Sequence, residues 1–177
     1  MSRLTRDQLI VRPARLDDLD VLVDFSAAMA KETEGRLLEK ARLRQGTLAV
    51  FESPAHGCYL VAELPASSDH ARPLVVGQLL VTYEWSDWRN ATFWWIQSVY
   101  VHEAWRRRGI YRRMHETVLD QAKARQDVCG VRLYVEQENA AAQTVYRRVG
   151  LQPSAYRVYE EDFVLSAKTD KSHPSAK

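Results

Sequence analysis

Apolar positions change their period several times along the chain, and each change marks an element. Ile10-Val11-Arg12-Pro13-Ala14 reads as a short first strand. Leu16, Leu19, Leu22, Val23 and Met29 then recur at helical spacing, with Asp17 and Asp18 at the positive end of the helix dipole. The pattern breaks over Lys31 to Gly35, and a second short helix is expected over Leu37 to Leu43. Tyr59 to Glu63 and Leu74 to Glu84 read as two strands of a hairpin, joined by a polar turn over Pro65 to Pro73. A second turn at Trp85 to Asn90 leads to Thr92–Val101, the most apolar strand, whose lack of alternation predicts burial on both faces.

Past Gly109, the positions Tyr111, Met114, Val118 and Ala122 share one helical face, up to about Gln126. Val131 to Val135 alternates as a strand. Asn139 is a good N-cap and Gly150 a good terminator for a helix whose Ala142, Val145 and Val149 share a face. Tyr156 to Leu165 reads as a last strand. The expected order is therefore β, α, α, three strands, α, β, α, β. That predicts an α/β fold, a mixed and mostly antiparallel sheet flanked by helices. Residues 1–9 and 166–177 are expected to be flexible ends around a single domain at 10–165.

Composition narrows the class. A chain of 177 residues suits one domain with its own core. Twenty-five basic against 23 acidic side chains give a net charge of +2, which argues against a nucleic-acid coat or a polybasic membrane binder. Cys58 and Cys129 have no metal-ligand spacing and read as reduced thiols. The five histidines are scattered, so no metal is expected. No apolar run reaches the ~18 residues of a membrane span, and the cytoplasm is the expected location.

The sharpest chemical feature is Arg106-Arg107-Arg108-Gly109-Ile110-Tyr111, which opens a helix directly after an apolar strand. Unpaired N–H groups at a helix start suit a pyrophosphate, glycine lets the backbone approach closely, and arginines add charge-assisted bonds. The bland alternative is a solvated basic helix start, continued by Arg112 and Arg113. Contact with nucleic-acid phosphate lacks a docking motif. A Rossmann dinucleotide site lacks the additional glycines.

Val99-Tyr100-Val101 followed by Arg-x-x-Gly-x resembles the acetyl-CoA signature of the GCN5-related N-acetyltransferase family, Gln/Arg-x-x-Gly-x-Gly/Ala. Tyr111 stands where that signature has a small residue and should crowd the loop. A second segment is also similar to the family: Val135-Glu136-x-x-Asn139-x-x-Ala142-x-x-x-Tyr146-x-x-x-Gly150-Leu151. The resemblance in order of elements spans residues 10–165 and is loosely like the diamine acetyltransferase branch. It implies acetyl-CoA as co-substrate, held by the loop 106–111, with Val99 and Val101 on the pantetheine through their backbone. It also implies Asn139 beside the pantetheine arm and Tyr146 near the sulfur as general acid. The capping role alone would account for Asn139, and a half-buried aromatic for Tyr146.

The base is less defined. The strand position where many relatives carry Glu is here Gln97, which accepts no proton at neutral pH. Glu84, at the end of the preceding strand, is taken as the catalytic candidate; Asp87, Glu32 and Glu34 are alternatives. Glu32 and Glu34 are expected in the helix–helix loop on the acceptor side. With Trp85 and Asp87 of the Trp-bearing turn they form a candidate pocket for a cationic amine, through charge and cation–π contact. Each of these could equally be a solvated surface group; Trp94 and Trp95 read as core. The leading expectation is an acetyltransferase for a small-molecule amine. A protein acetyltransferase and a non-catalytic acyl-CoA sensor are the alternatives, and the resemblance allows a homodimer.

Overall fold

A computed structural model describes residues 8–67 and 71–165. The chain runs β1 (Ile10–Pro13), α1 (Leu19–Glu34), α2 (Lys40–Glu52), β2 (Cys58–Leu64), β3 (Leu74–Ser86), β4 (Ala91–Val101), α3 (Ile110–Lys123), β5 (Val128–Leu133) and α4 (Ala140–Arg148). The strands form one sheet in the order β1-β2-β3-β4-β5. Neighbours are antiparallel from β1 to β4, and β5 joins β4 in parallel. This is the mixed, mostly antiparallel α/β sheet that the order of elements predicts.

Alternation along the strands gives the sheet two apolar faces. Leu60, Ala62, Leu79, Val81, Trp94 and Ile96 pack with Ile110, Met114, Val118 and Ala122 of α3. Burying a side chain of this size contributes roughly 1.5–3 kcal/mol, so this helical stripe holds α3 firmly on the sheet. On the opposite face Tyr59 and Val61 meet Leu22 of α1, with Val50 and Phe51 of α2 beside them. Leu9 is buried in the α3-side core.

Several boundaries differ from expectation. Helix α1 does not break at Lys31 but runs to Glu34. It stops at Gly35, whose φ of 64° is left-handed, where the Arg36 N–H bonds the Ala30 carbonyl (3.1 Å) and the Gly35 N–H that of Lys31 (3.1 Å). Glu32 and Glu34 therefore sit on the last turn of a helix rather than in a loop. Helix α2 starts three residues later than expected and extends to Glu52. Its polar sequence hid it, because Thr47 is its one buried residue. Strand β5 begins at Val128 and ends at Leu133, ahead of the expected Val131–Val135.

The expected strand over Tyr156 to Leu165 is absent; residues 151–165 form no regular element. Glu160-Glu161-Asp162 interrupts the alternation, and the Asp162 carboxylate accepts the N–H groups of Val164 (2.8 Å) and Leu165 (2.9 Å). Such local side-chain bonds compete with a strand ladder. The expected flexible tail at 166–177 and most of the expected flexible start lie outside the described residues.

Candidate active site

Strand β4 is split from its parallel neighbour. Pairing with β5 covers Thr92 to Ile96 only, while pairing with β3 continues to Val101. At the split the β3–β4 register slips: Val81 faces Ile96 and Leu80 faces Ser98, which leaves Gln97 as an extra residue on β4. A bulge of this kind re-aims side chains and ends regular pairing. Val99 and Val101 lie beyond it, on the stretch with no β5 partner.

A short 3-10 turn, Glu103–Trp105, links β4 to the arginine loop. Arg106 is extended, Arg107 is left-handed at φ 64°, and Gly109 is left-handed at φ 86° as it caps α3. A left-handed non-glycine residue costs roughly 1–2 kcal/mol, and such strain collects at functional sites. Curled backbone of this kind, running into a helix start, points N–H groups at an anion.

The three loop arginines have different surroundings. Arg106 is tied down at the surface: its Nε donates to the Val101 carbonyl (2.8 Å) and its Nη2 to Glu32 Oε2 (2.6 Å). Tyr100 OH donates to the other oxygen of Glu32 (2.8 Å), and the Arg106 guanidinium lies 5.3 Å from the Tyr100 ring centre. Burial works against the Glu32 carboxylate, but the bonds from Arg106 and Tyr100 prevail and hold its pKa below the ordinary value. Arg107 is exposed at the loop. Arg108 stacks on Trp105 at 4.7 Å, and its buried Nε has no hydrogen-bond partner.

On the opposite side of the loop, Asn139 caps α4 by accepting the Ala142 N–H (2.9 Å). On the last turn of α4, Tyr146 packs edge-on against Tyr111, with ring centres 5.5 Å apart. Burial pushes the Tyr146 phenol up. Tyr111 therefore lies between α3 and α4, its other neighbour being His115 at 5.8 Å. The Tyr111 hydroxyl is buried without a partner, and burial, then Tyr146, raises its pKa. His115 is 1% exposed and neither ring nitrogen has a partner; burial lowers its pKa and keeps it neutral.

A second cluster occupies the sheet face that carries α1. Gln78 of β3 bonds Ser26 of α1 (2.8 Å), so by alternation Thr82 and Glu84 share that face further along the strand. Glu84 accepts Arg132 Nη1 (2.9 Å) and the Trp95 indole N–H. The Arg132 guanidinium lies 3.5 Å from the Phe93 ring centre, and Trp95 stacks on Tyr134 at 4.3 Å. Trp95 is half-buried and bonded to Glu84, where the sequence suggests plain core. The sequence assigns no role to Arg132 or Tyr134, and shows Tyr100 only within the Val99-Tyr100-Val101 motif. The alternation of Val131 to Val135 was the available signal, since it sets Arg132 and Tyr134 on one face.

Other candidates stand apart from this cluster. Glu34 pairs with Arg36 (3.2 Å). Asp87 accepts the N–H of its neighbour Trp88 (2.8 Å), and Trp85 and Trp88 are 61% and 87% exposed at the hairpin tip. The structure thus brings Glu32 to the arginine loop and Glu84 to the open sheet face, and does not assemble Glu34, Trp85 and Asp87 around either. Among the described residues no group of three or more His, Cys, Asp or Glu could hold a metal, and no helix is long and apolar enough to cross a membrane.

Comparison with known proteins agrees with this geometry. The profile of the acetyltransferase (GNAT) family matches residues 24–151. A possible acetyltransferase from Clostridium difficile 630 is 37% identical, with a TM-score of 0.79 over 89% of this chain and 99% of that one. An aminoglycoside N-acetyltransferase, AAC(6')-Iy, in complex with CoA shares the fold at 10% identity, with a TM-score of 0.68 over 88% of this chain and 95% of that one. A ribosomal-protein-alanine N-acetyltransferase from Brucella melitensis biovar Abortus 2308 does so at 14% identity, with a TM-score of 0.65 over 88% and 99%. No curated protein matches the sequence. With its split strand, its left-handed loop and the family profile across most of its length, the chain belongs to the acetyltransferase (GNAT) family.

Proposed function

We propose that the protein transfers an acetyl group from acetyl-CoA to the primary amine of a small molecule, by direct attack within a ternary complex. The observation that carries this is the left-handed pair Arg107 and Gly109 at the start of α3, directly after a strand that has parted from β5. The residues present fit the donor. The first N–H groups of α3 and the loop would take the pyrophosphate, with charge from Arg107 and from Arg108, whose Nε is buried without a partner. Val99 and Val101 would offer backbone groups to the pantetheine arm, and Asn139 would stand beside it.

Acetyl-CoA supplies an acyl group already activated as a thioester. The chain's residues then orient the partners and move protons. Tyr146, a phenol kept protonated by burial, gives its proton to the departing sulfur. Glu84 receives the acceptor ammonium on the open sheet face and takes its proton, directly or through water. A second reading has an observation of its own: Gln97 sits at the bulge and Glu84 is tied to Arg132, which would suit an acyl-CoA sensor without turnover.

Calorimetry with acetyl-CoA, together with thiol release over a panel of small amines and peptides, tests the proposal. Micromolar binding with turnover on a small amine is the expected result. Turnover on peptides alone moves the acceptor to protein; binding without turnover favours the sensor, and absence of binding removes the proposal.

A further inference from the structure

We infer that the Glu84–Arg132 pair, set on the Phe93–Trp95–Tyr134 surface, is an acceptor subsite for a small zwitterion: an ammonium and a carboxylate on one short skeleton with an apolar body. The assignment rests on the acetyltransferase proposal above and specifies its acceptor.

The two charges stand side by side in half-exposed positions, their side chains 43% and 32% accessible. Neither depends on the other to stay in place. Glu84 is also held by the Trp95 indole N–H, and Arg132 is held by stacking on Phe93. Both keep capacity to bind. A carboxylate has about four lone-pair sites, and Glu84 uses two of them, one on each oxygen. A guanidinium has about five N–H donors, and the one bond Arg132 makes among the described residues is from Nη1 to Glu84. An incoming ammonium can therefore bond Glu84 while an incoming carboxylate bonds Arg132, closing a four-charge ring without breaking the pair. A simple cationic amine would meet Arg132 as a like charge next to its own binding carboxylate.

The surroundings favour an apolar body. The Tyr134 ring is 49% exposed and stacks on Trp95, so together they present a flat face next to the ion pair. The face also continues along β3 and β4 to the bulge at Gln97. Gln97, the extra residue where β4 leaves β5, contacts Thr82 at 3.4 Å, and Thr82 faces Trp95 across the ladder. An amine bonded to Glu84 is thus on the same sheet face as the start of the split.

The test uses the full chain with L-phenylalanine and L-methionine, each beside its amide and its decarboxylated amine. Initial rates with acetyl-CoA, and calorimetry on CoA-loaded protein, are measured for wild type, Arg132→Gln and Arg132→Lys. The expected result is a kcat/KM for the zwitterions at least about 30-fold above their carboxylate-free partners, carried mainly by KM. Arg132→Gln should bring that ratio close to one, and Arg132→Lys should restore part of it. Equal use of amine and amino acid by wild type, or a ratio unmoved by Arg132→Gln, overturns the subsite while leaving acetyl transfer intact. Should no amine be acetylated, calorimetry still decides: Arg132-dependent preference for the carboxylate sustains the subsite and sinks the transfer proposal, whereas no preference overturns the subsite.

Discussion

Glu32, on the last turn of α1, accepts a 2.6 Å hydrogen bond from Arg106, the first residue of the loop before α3. This bond ties the last turn of α1 to the loop before α3 and engages the Arg106 guanidinium with a carboxylate. Arg106 then acts on the loop by shaping it, and the pair is 43% and 40% accessible, a setting in which such pairs contribute about 0–1 kcal/mol. Arg106→Ala should therefore weaken acetyl-CoA less than about tenfold, with little loss of stability. Arg107→Ala should cost as much or more, and its effect should shrink in high salt, because its exposed charge is screened. Calorimetry at two salt concentrations separates the two arginines; a larger loss for Arg106→Ala would show that its guanidinium leaves Glu32 to meet the donor.

Gly109 gives a sharper test of the loop. Its φ of 86° excludes most L-residues, so Gly109→Ala should cost roughly 1–2 kcal/mol from backbone strain alone. Gly109→Asp adds a negative charge where an anion is expected, and donor affinity should fall by more than about 30-fold. Circular dichroism confirms whether α3 persists in the variant, and calorimetry reads the affinity. Unchanged affinity in a folded Gly109→Asp protein would remove the loop from the donor site.

Tyr146→Phe isolates the proton donor. The ring and its edge-on contact with Tyr111 survive, and only the hydroxyl is lost. General acid catalysis contributes typically 10²–10⁴-fold, so kcat should fall by about that range while donor affinity stays within threefold. Burial raises the phenol above its ordinary pKa near 10, and an acid must be protonated to act. The wild-type rate should accordingly show no alkaline decline from this group below about pH 10. A decline centred well below that pH and absent in Tyr146→Phe would show a different environment for the hydroxyl.

The sequence is a good guide to this site where function is carried by backbone and spacing. Gly109, Asn139 and the apolar face of α3 are each visible as a local pattern, and each has the local structure expected of it. Side-chain partnerships across the sheet were not legible. Glu84 meets Arg132 from 48 positions away, and Arg106 meets Glu32 from 74, and no local period reports such separations. Tyr111 shows the same limit from the other direction. Its bulk is evident in the sequence, but its placement between α3 and Tyr146 depends on how two helices meet. Tyr156 to Leu165 erred differently: strand-like composition was present, while Asp162 turned the backbone onto its own side chain.

Gly130 tests the floor of the proposed acceptor subsite. It faces Phe93 across the β4–β5 ladder, and a Cβ placed there would lie 2.7 Å from the Phe93 ring. The ring is buried and carries the Arg132 guanidinium at 3.5 Å, so it has little room to yield. Gly130→Ala should cost on the order of 1–3 kcal/mol as an overpacking change. It should also raise KM for the acceptor more than for acetyl-CoA. Equal effects on both substrates would indicate general loosening of the sheet instead.

Asp18 governs how the fold responds to acid. It accepts two bonds from Arg12, at 2.7 and 3.0 Å, and the Arg15 N–H at 2.7 Å, and Arg12 also binds Glu63. Desolvation raises the Asp18 pKa, but these bonds outweigh it and leave the value depressed. A depressed carboxyl contributes stability that is present above its unfolded pKa, near 3.9, and is lost as pH falls through the lower folded value. At neutral pH, Asp18→Ala leaves Arg12 in a largely buried site without its main partner. Because Glu63 still pairs with Arg12, the loss should fall below the roughly 3–5 kcal/mol of a buried charge left uncompensated, and the drop in Tm should be on the order of 10 °C or less for a domain of this size. As pH drops below about 4, wild type should lose that advantage and the two melting curves should converge. Thermal melts at pH 7, 5 and 3 make the comparison, and a gap that stayed constant down to pH 3 would mean that the stabilisation does not come from the charge on Asp18.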